Sequence, residues 1–123
     1  MRYITPRKAA EGLGSARKGT GHHIAMTVSG WALLFIVPVW VFCFARVIGH
    51  GHKHVVHAFE NPFMAILTAL LLLVGMRHFA KGAATAIEDY THGFTREALI
   101  MAANAVSYLV IAAGFYGLVK IAL

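Results

Sequence analysis

Acidic residues and cysteine are both scarce in this chain. Five Asp and Glu stand among 123 residues, and charged residues of all types make up 13%, against about 25% in ordinary soluble domains. Cys43 is the single cysteine, which excludes an internal disulfide framework and any cysteine-rich metal site within one chain. With charge so low, apolar residues reach 59% and the mean hydropathy is +0.67. Disorder is excluded, since it needs low hydrophobicity and high charge. The length allows one domain, and a 13.3 kDa soluble domain has too little interior for that much apolar surface. The composition therefore reads as an all-α integral membrane protein.

Basic residues outnumber acidic ones by eleven to five, for a formal charge of +6. Five of the eleven, Arg2, Arg7, Lys8, Arg17 and Lys18, fall in the first 18 residues. A basic tail ahead of an apolar run is a topology signal and a contact for membrane lipid. Tyr3 is its one aromatic residue, so the stacking platform of a nucleic-acid binder is missing and no nucleic-acid partner is expected.

Three long stretches lack charge. Ile24 to Ala45 gives 22 residues, Asn61 to Met76 gives 16, and Ala98 to Val119 gives 22. At ~1.5 Å per residue, 22 residues reach ~33 Å, enough for the ~30 Å hydrocarbon core. The second stretch continues its apolar character through Arg77, His78 and Lys81 to Ile87. The expectation is a basic tail over 1–21 and a transmembrane domain over 22–123, with helices at about 22–48, 61–89 and 97–121. The first run starts after a 20-residue tail and no small-residue cleavage pattern follows Arg46, unlike a signal peptide. Pro38 lies inside helix 1 and should kink it. Asn61-Pro62 starts helix 2 at no cost in hydrogen bonding. Thr91-His92-Gly93 ends it, with Gly93 as a left-handed cap. The segment from about Gly49 to Glu60 reads as an aqueous loop.

Six basic residues lie on the side of the tail, counting Arg96 after helix 2; three, Arg46, Lys53 and Lys120, lie on the other. The excess predicts a cytoplasmic N-terminus and a periplasmic C-terminus for a multi-pass protein of a bacterial inner (plasma) membrane. Three short-looped helices offer little interface of their own, so a partner membrane subunit is expected.

Helix 2 carries Arg77, His78, Lys81, Glu88 and Asp89. Each ionisable group in a span costs ~2.5–3.5 kcal/mol on insertion scales, so such groups are functional by default. His78 lies ~25 Å from Asn61 and ~18 Å from Tyr90 along a helix, well inside the bilayer. Lys81 and Thr85 follow at i+3 and i+7 on its face. A neutral imidazole suits haem iron, and haem propionates need cations such as Arg77, Lys81, Arg17, Lys18, His22 or His23. A histidine hydrogen-bonded to a neighbouring helix, or a proton relay, would show the same composition.

The stretch from Arg77-His78 to Asp89-Tyr90 resembles the second helix of the small hydrophobic membrane anchor subunit of succinate dehydrogenase, respiratory complex II. That family has a histidine, eleven residues, then a tyrosine within Asp-Tyr; His78 and Tyr90 keep the spacing. Gly14-Ser15-Ala16-Arg17-Lys18-Gly19-Thr20-Gly21-His22-His23 resembles the family's Gly-Ser-Ala-x-x-Gly-Thr-x-His segment before helix 1. The resemblance covers nearly the whole chain. It implies that His78 is an axial ligand of haem b, with the second ligand from the larger cytochrome b anchor subunit. It implies that Tyr90 hydrogen-bonds a carbonyl oxygen of ubiquinone near the cytoplasmic face. Asp89 would orient the tyrosine or help deliver protons. Relatives carry an arginine early in helix 1, where this chain has Met26-Thr27-Val28-Ser29. The propionate contacts of that region would fall to Arg17, Lys18, His22 or His23.

The function so implied is a non-catalytic, electron-transferring membrane subunit. Flavin and iron–sulfur chemistry would belong to a flavoprotein subunit and an iron–sulfur subunit. A fumarate reductase anchor is a variant built of the same parts. The rival of a different class is a small transporter or metal-handling protein, using His50, His52, His54 and His57 for capture and His78, Lys81 and Glu88 for transport. Those four histidines, like His92, also read as solvated loop residues. Trp31 and Trp40 read as packing or lipid-facing residues, and Cys43 as an inert thiol. Gly114, Gly117 and Gly82-Ala83-Ala84 offer surfaces for close helix approach.

Overall fold

In a computed structural model the chain is described over residues 5–10, 12 and 19–122. Helices follow one another as α1 (Pro6–Ala10), α2 (Gly19–Ala45), α3 (His52–Glu60), α4 (Pro62–Tyr90) and α5 (Gly93–Ala122), with no strand among the described residues. Three segments are long and apolar enough to cross a membrane: Thr20–Ala45, Pro62–Tyr90 and Gly93–Ile121. The protein is an all-α integral membrane protein with three spanning helices. Helices of 26 to 29 residues reach ~39–44 Å. They exceed the ~30 Å apolar slab, so their ends enter the headgroup layers or the helices tilt.

The spans form a row. α4 packs against α2 on one side and α5 on the other, and α2 and α5 do not touch. Of the four buried apolar residues among those described, Met64, Leu67 and Ala80 lie on α4, and Val47 follows α2. Large side chains such as Trp31, Phe35, Leu109 and Tyr116 face outward, as expected of helices apolar on every side. Small residues set the spacing of the row. A Cβ on Gly114 would overlap the methyls of Leu72, so α5 meets α4 there only because the position is glycine. Gly75 and Gly82 of α4 lie under Leu33 and Met26 of α2, where a Cβ would make ordinary van der Waals contact. The space around Gly117 is open within the chain. Trp40 is half-buried and donates from Nε1 to Thr68 Oγ1 at 2.9 Å, tying α2 to α4. It also stacks on Phe44 at 4.7 Å between centroids.

Local signals account for the start of α4. Asn61 Oδ1 accepts from the Phe63 amide at 2.9 Å, and Pro62 takes the first position, where its missing N–H is no loss. The other end differs from expectation. Thr91, in extended conformation, is the residue that caps α4, and its hydroxyl donates to Ile87 O at 2.7 Å. Gly93 does adopt φ +62°, but as the first residue of α5. α5 therefore begins four residues before the expected 97, and Arg96 and Glu97 sit on its opening turns rather than in a loop.

The expected aqueous loop from Gly49 to Glu60 is largely helical. Gly49 turns the chain at φ +87°, and α3 follows. Val55, Val56, Ala58 and Phe59 are half-buried while His52, Lys53, His54, His57 and Glu60 are exposed. Apolar residues at i, i+1, i+3 and i+4 share one helical face, which lies against α4 and α5. The Phe59 ring meets Phe44 edge-on at 6.3 Å. Burial of that face orders the segment as a short amphipathic helix of the interfacial kind.

Candidate functional site

The polar half of α4 runs from Arg77 to Tyr90, and Arg77, His78 and Thr85 are each met by a side chain of a neighbouring helix. His78 is half-buried towards α2, with Nδ1 2.8 Å from Ser29 Oγ. Ser29 Oγ lies 2.7 Å from Ala25 O and 3.0 Å from Met26 O. A serine has one proton to give. Donation to one of the two backbone carbonyls leaves Ser29 able to accept from His78 Nδ1–H, an arrangement that makes two hydrogen bonds where donation to the ring would make one. This assignment follows from the count of donors. It leaves the ring's lone pair on Nε2. No hydrogen bond engages Nε2 among the described residues, and no buried side-chain nitrogen or oxygen is unpaired. Nε2 is therefore accessible from outside the chain. His78 does make the interhelical hydrogen bond that its composition allowed, but through one nitrogen only.

α2 lies against the ring at the next residue as well; a Cβ on Gly30 would stand 3.7 Å from His78 Cε1, in ordinary van der Waals contact. Beside it lies an open hollow of about 300 Å³ lined by Thr27, Gly30, Trp31 and Leu34. These four occupy i, i+3, i+4 and i+7 of α2 and so form a single face.

Arg77, one residue earlier, turns to α5 and donates from Nη1 to Tyr108 Oη at 2.8 Å. Its guanidinium carbon lies 5.9 Å from the centroid of the same ring, within cation–π range. Lys81 is half-buried, and its side chain has no hydrogen bond or ion pair among the described residues. Thr85 Oγ1 donates to Lys81 O at 3.1 Å and lies 3.3 Å from His22 Nε2. His22 is thereby brought to the His78 face of α4. His23 is exposed and is not brought there. Arg17 and Lys18 lie outside the described residues.

Glu88, Asp89 and Tyr90 project from the end of α4. Tyr90 is 86% exposed. Asp89 makes no hydrogen bond to it. The histidines of the opposite end do not converge. His50 and His54 stack at 4.6 Å, and His57 Nδ1 pairs with Glu60 Oε2 at 2.9 Å. Among the described residues no group of three or more His, Cys, Asp or Glu is placed to hold a metal ion. The larger cavity, about 490 Å³ beside Cys43, Arg46 and His57, is also at that end.

Ser29, Tyr108 and Thr85 are the partners that sequence reasoning did not assign. Their signal is a hydroxyl inside an apolar span, where a polar side chain needs a partner. Together the groups present one open imidazole nitrogen at mid-span, two cations within a turn of it, and a phenol and a carboxylate at the helix end.

Residues 1–118 match the family described as succinate dehydrogenase/fumarate reductase transmembrane subunit. The succinate dehydrogenase hydrophobic membrane anchor subunit of Paracoccus denitrificans is 50% identical over 123 residues, covering all of this chain and 95% of that protein. No solved structure matches the chain. On the family match and that full-length identity, the chain belongs to the succinate dehydrogenase membrane anchor subunits.

Proposed function

We propose that this protein holds one side of a b-type haem and one wall of the quinone-reduction site in a succinate:ubiquinone oxidoreductase. The observation that carries the reading is His78, whose Nδ1 is engaged by Ser29 while Nε2 stays unpartnered and accessible. A histidine prepared in this way fits one axial position on iron. The hollow beside Gly30 and the cation Lys81, on the His78 face, suit the edge and a propionate of such a group, whereas Arg77 is turned to Tyr108 of α5. When bound, the haem supplies a one-electron carrier in the membrane. A second ligand would be supplied by the larger cytochrome b anchor subunit.

Tyr90 stands where α4 leaves the apolar slab. Its phenol donates a hydrogen bond to a carbonyl oxygen of ubiquinone, which orients the ring and stabilises negative charge on that oxygen as reduction proceeds. Asp89, its neighbour, orients the bound quinone or relays protons to it. Tyr90 is 86% exposed, which leaves room for other subunits to form the remaining walls, and we assign these to the iron–sulfur subunit and the larger anchor. Electrons from succinate oxidation reach this end through the flavoprotein and iron–sulfur subunits, which dock on the side of the basic tail. That side is cytoplasmic by the excess of six basic residues over three. With three spans, the C-terminus is periplasmic in a bacterial inner membrane. The family includes fumarate reductases; the 50% identical succinate dehydrogenase anchor favours succinate oxidation.

The test is His78→Ala in the assembled complex. It removes one axial ligand and abolishes or shifts the low-spin b-type signal. A wild-type signal in that variant overturns the ligand assignment. Haem content alone does not decide, because propionate contacts retain haem without the ligand.

A further inference from the structure

We infer that Ser29 is a positioning residue for the haem ligand: its hydroxyl fixes the tautomer and ring angle of His78 and raises the donor strength of Nε2. The inference deepens the proposed haem reading and rests on it. Its grounds lie in three features of the α2–α4 contact.

The first is the direction of the hydrogen bond. Ser29 Oγ sits within 3.0 Å of two carbonyls of the preceding turn, Ala25 and Met26, so its proton is held by the backbone. What it offers His78 is a lone pair, at 2.8 Å from Nδ1. A histidine whose Nδ1–H is so engaged presents Nε2 in one tautomer only. The second is rigidity. The same pair of carbonyls fixes the Ser29 rotamer, and α2 carries Oγ to the ring from the middle of a 27-residue helix. The acceptor is thus built into a spanning element rather than a loop. The third is packing at position 30, where α2 lies against the ring edge, a built Cβ standing in ordinary van der Waals contact at 3.7 Å from Cε1. Ring angle is then limited by α2 on one side and by the Ser29 bond on another.

Polarising Nδ1–H towards an acceptor makes the imidazole a stronger donor at Nε2. A stronger donor favours ferric over ferrous iron, so loss of the acceptor should raise the haem midpoint potential. Outer-shell partners of metal-bound histidines are generally worth about 10–100-fold in metal affinity. A hydroxyl is a weaker acceptor than a carboxylate, which places the expected effect near the lower end of that range.

The experiment compares Ser29→Ala, Ser29→Thr and His78→Ala in the complete purified complex. Alanine keeps the helix and removes the acceptor; threonine keeps a hydroxyl that also bonds the preceding turn. Succinate oxidation with a soluble artificial acceptor reports assembly in each. The readouts are the haem midpoint potential, the low-spin resonance positions, and the rate of haem transfer to apomyoglobin. In Ser29→Ala the potential should rise, the resonances shift, and haem transfer about tenfold faster, with Ser29→Thr close to wild type. Wild-type potential and resonances in Ser29→Ala overturn the inference while leaving His78 as ligand. Equal shifts in the alanine and threonine variants also overturn it, since they would report packing at position 29 rather than the hydroxyl. A wild-type signature in His78→Ala removes the ligand reading itself, and this inference with it.

Discussion

Removing one oxygen atom from Tyr90 separates the quinone role from every structural role of the residue. Tyr90→Phe keeps the ring and its place at the membrane interface. The side chain is 86% exposed and has no hydrogen bond among the described residues, so the change breaks nothing within the chain. What it removes is the proposed bond to quinone. A neutral hydrogen bond contributes about 0.5–1.5 kcal/mol, and one to a charged partner about 1.5–3. The quinone oxygen gains negative charge during reduction, so the larger range applies to the transition state. At ~1.4 kcal/mol per tenfold, ubiquinone reduction should slow by about ten- to a hundredfold. Transfer from succinate to a soluble artificial acceptor bypasses the anchor and should be unchanged. The haem signal should also survive, because His78 lies twelve residues, or ~18 Å, back along α4. Both rates are measured on one preparation of purified complex. If both rates fall together, Tyr90 serves assembly; if neither falls, it is an ordinary interface tyrosine. Either result refutes the reasoning.

A reporter fused after Leu123 should be active on the periplasmic side and one at the N-terminus on the cytoplasmic side; ends reporting from the same side would contradict three spans. Gly114→Val should cost about 1–3 kcal/mol through overpacking against Leu72, read as faster thermal inactivation of the complex. Leu72→Ala in the same chain should restore part of that loss, and strict additivity of the two changes would show that the residues do not meet.

The spans were legible because hydropathy over twenty residues is a property of composition, which needs no knowledge of packing. Asn61-Pro62 was legible for a related reason: a cap and a first-turn proline are local chemistry. α3 was not. Its three histidines and one lysine dominate any short window, and Val55, Val56, Ala58 and Phe59 declare themselves only when placed on a helical face with Phe44 to bury against. The start of α5 was misplaced for a different reason. Hydropathy marks where the apolar slab begins, whereas a helix begins where the backbone turns, at Gly93. The His78 position and spacing were readable, but its partner was not. Ser29 lies 49 residues away, and no local pattern connects a serine in one span to a histidine in another.

The partners of α4 also have a chemical character in common. Arg77 is held by a phenol, His78 by a serine, and Thr85 by a histidine. None of them is a carboxylate. The acids of the described residues stand at helix ends, as Glu60, Glu88, Asp89 and Glu97 do. A hydroxyl orients a cation without neutralising it, so the charges of Arg77 and Lys81 meet no carboxylate among the described residues. Such a charge in a span is costly, and relief comes from water, from the interface or from an anion. An anionic group beside an open imidazole nitrogen would meet both needs of the site at once, ligand and counter-charge. That pairing favours haem, which brings iron and propionates together, over a transport route, which would need acids along the path to pass a cation. The nearest acid on α4 is Glu88, ten residues from His78, or ~15 Å along the helix.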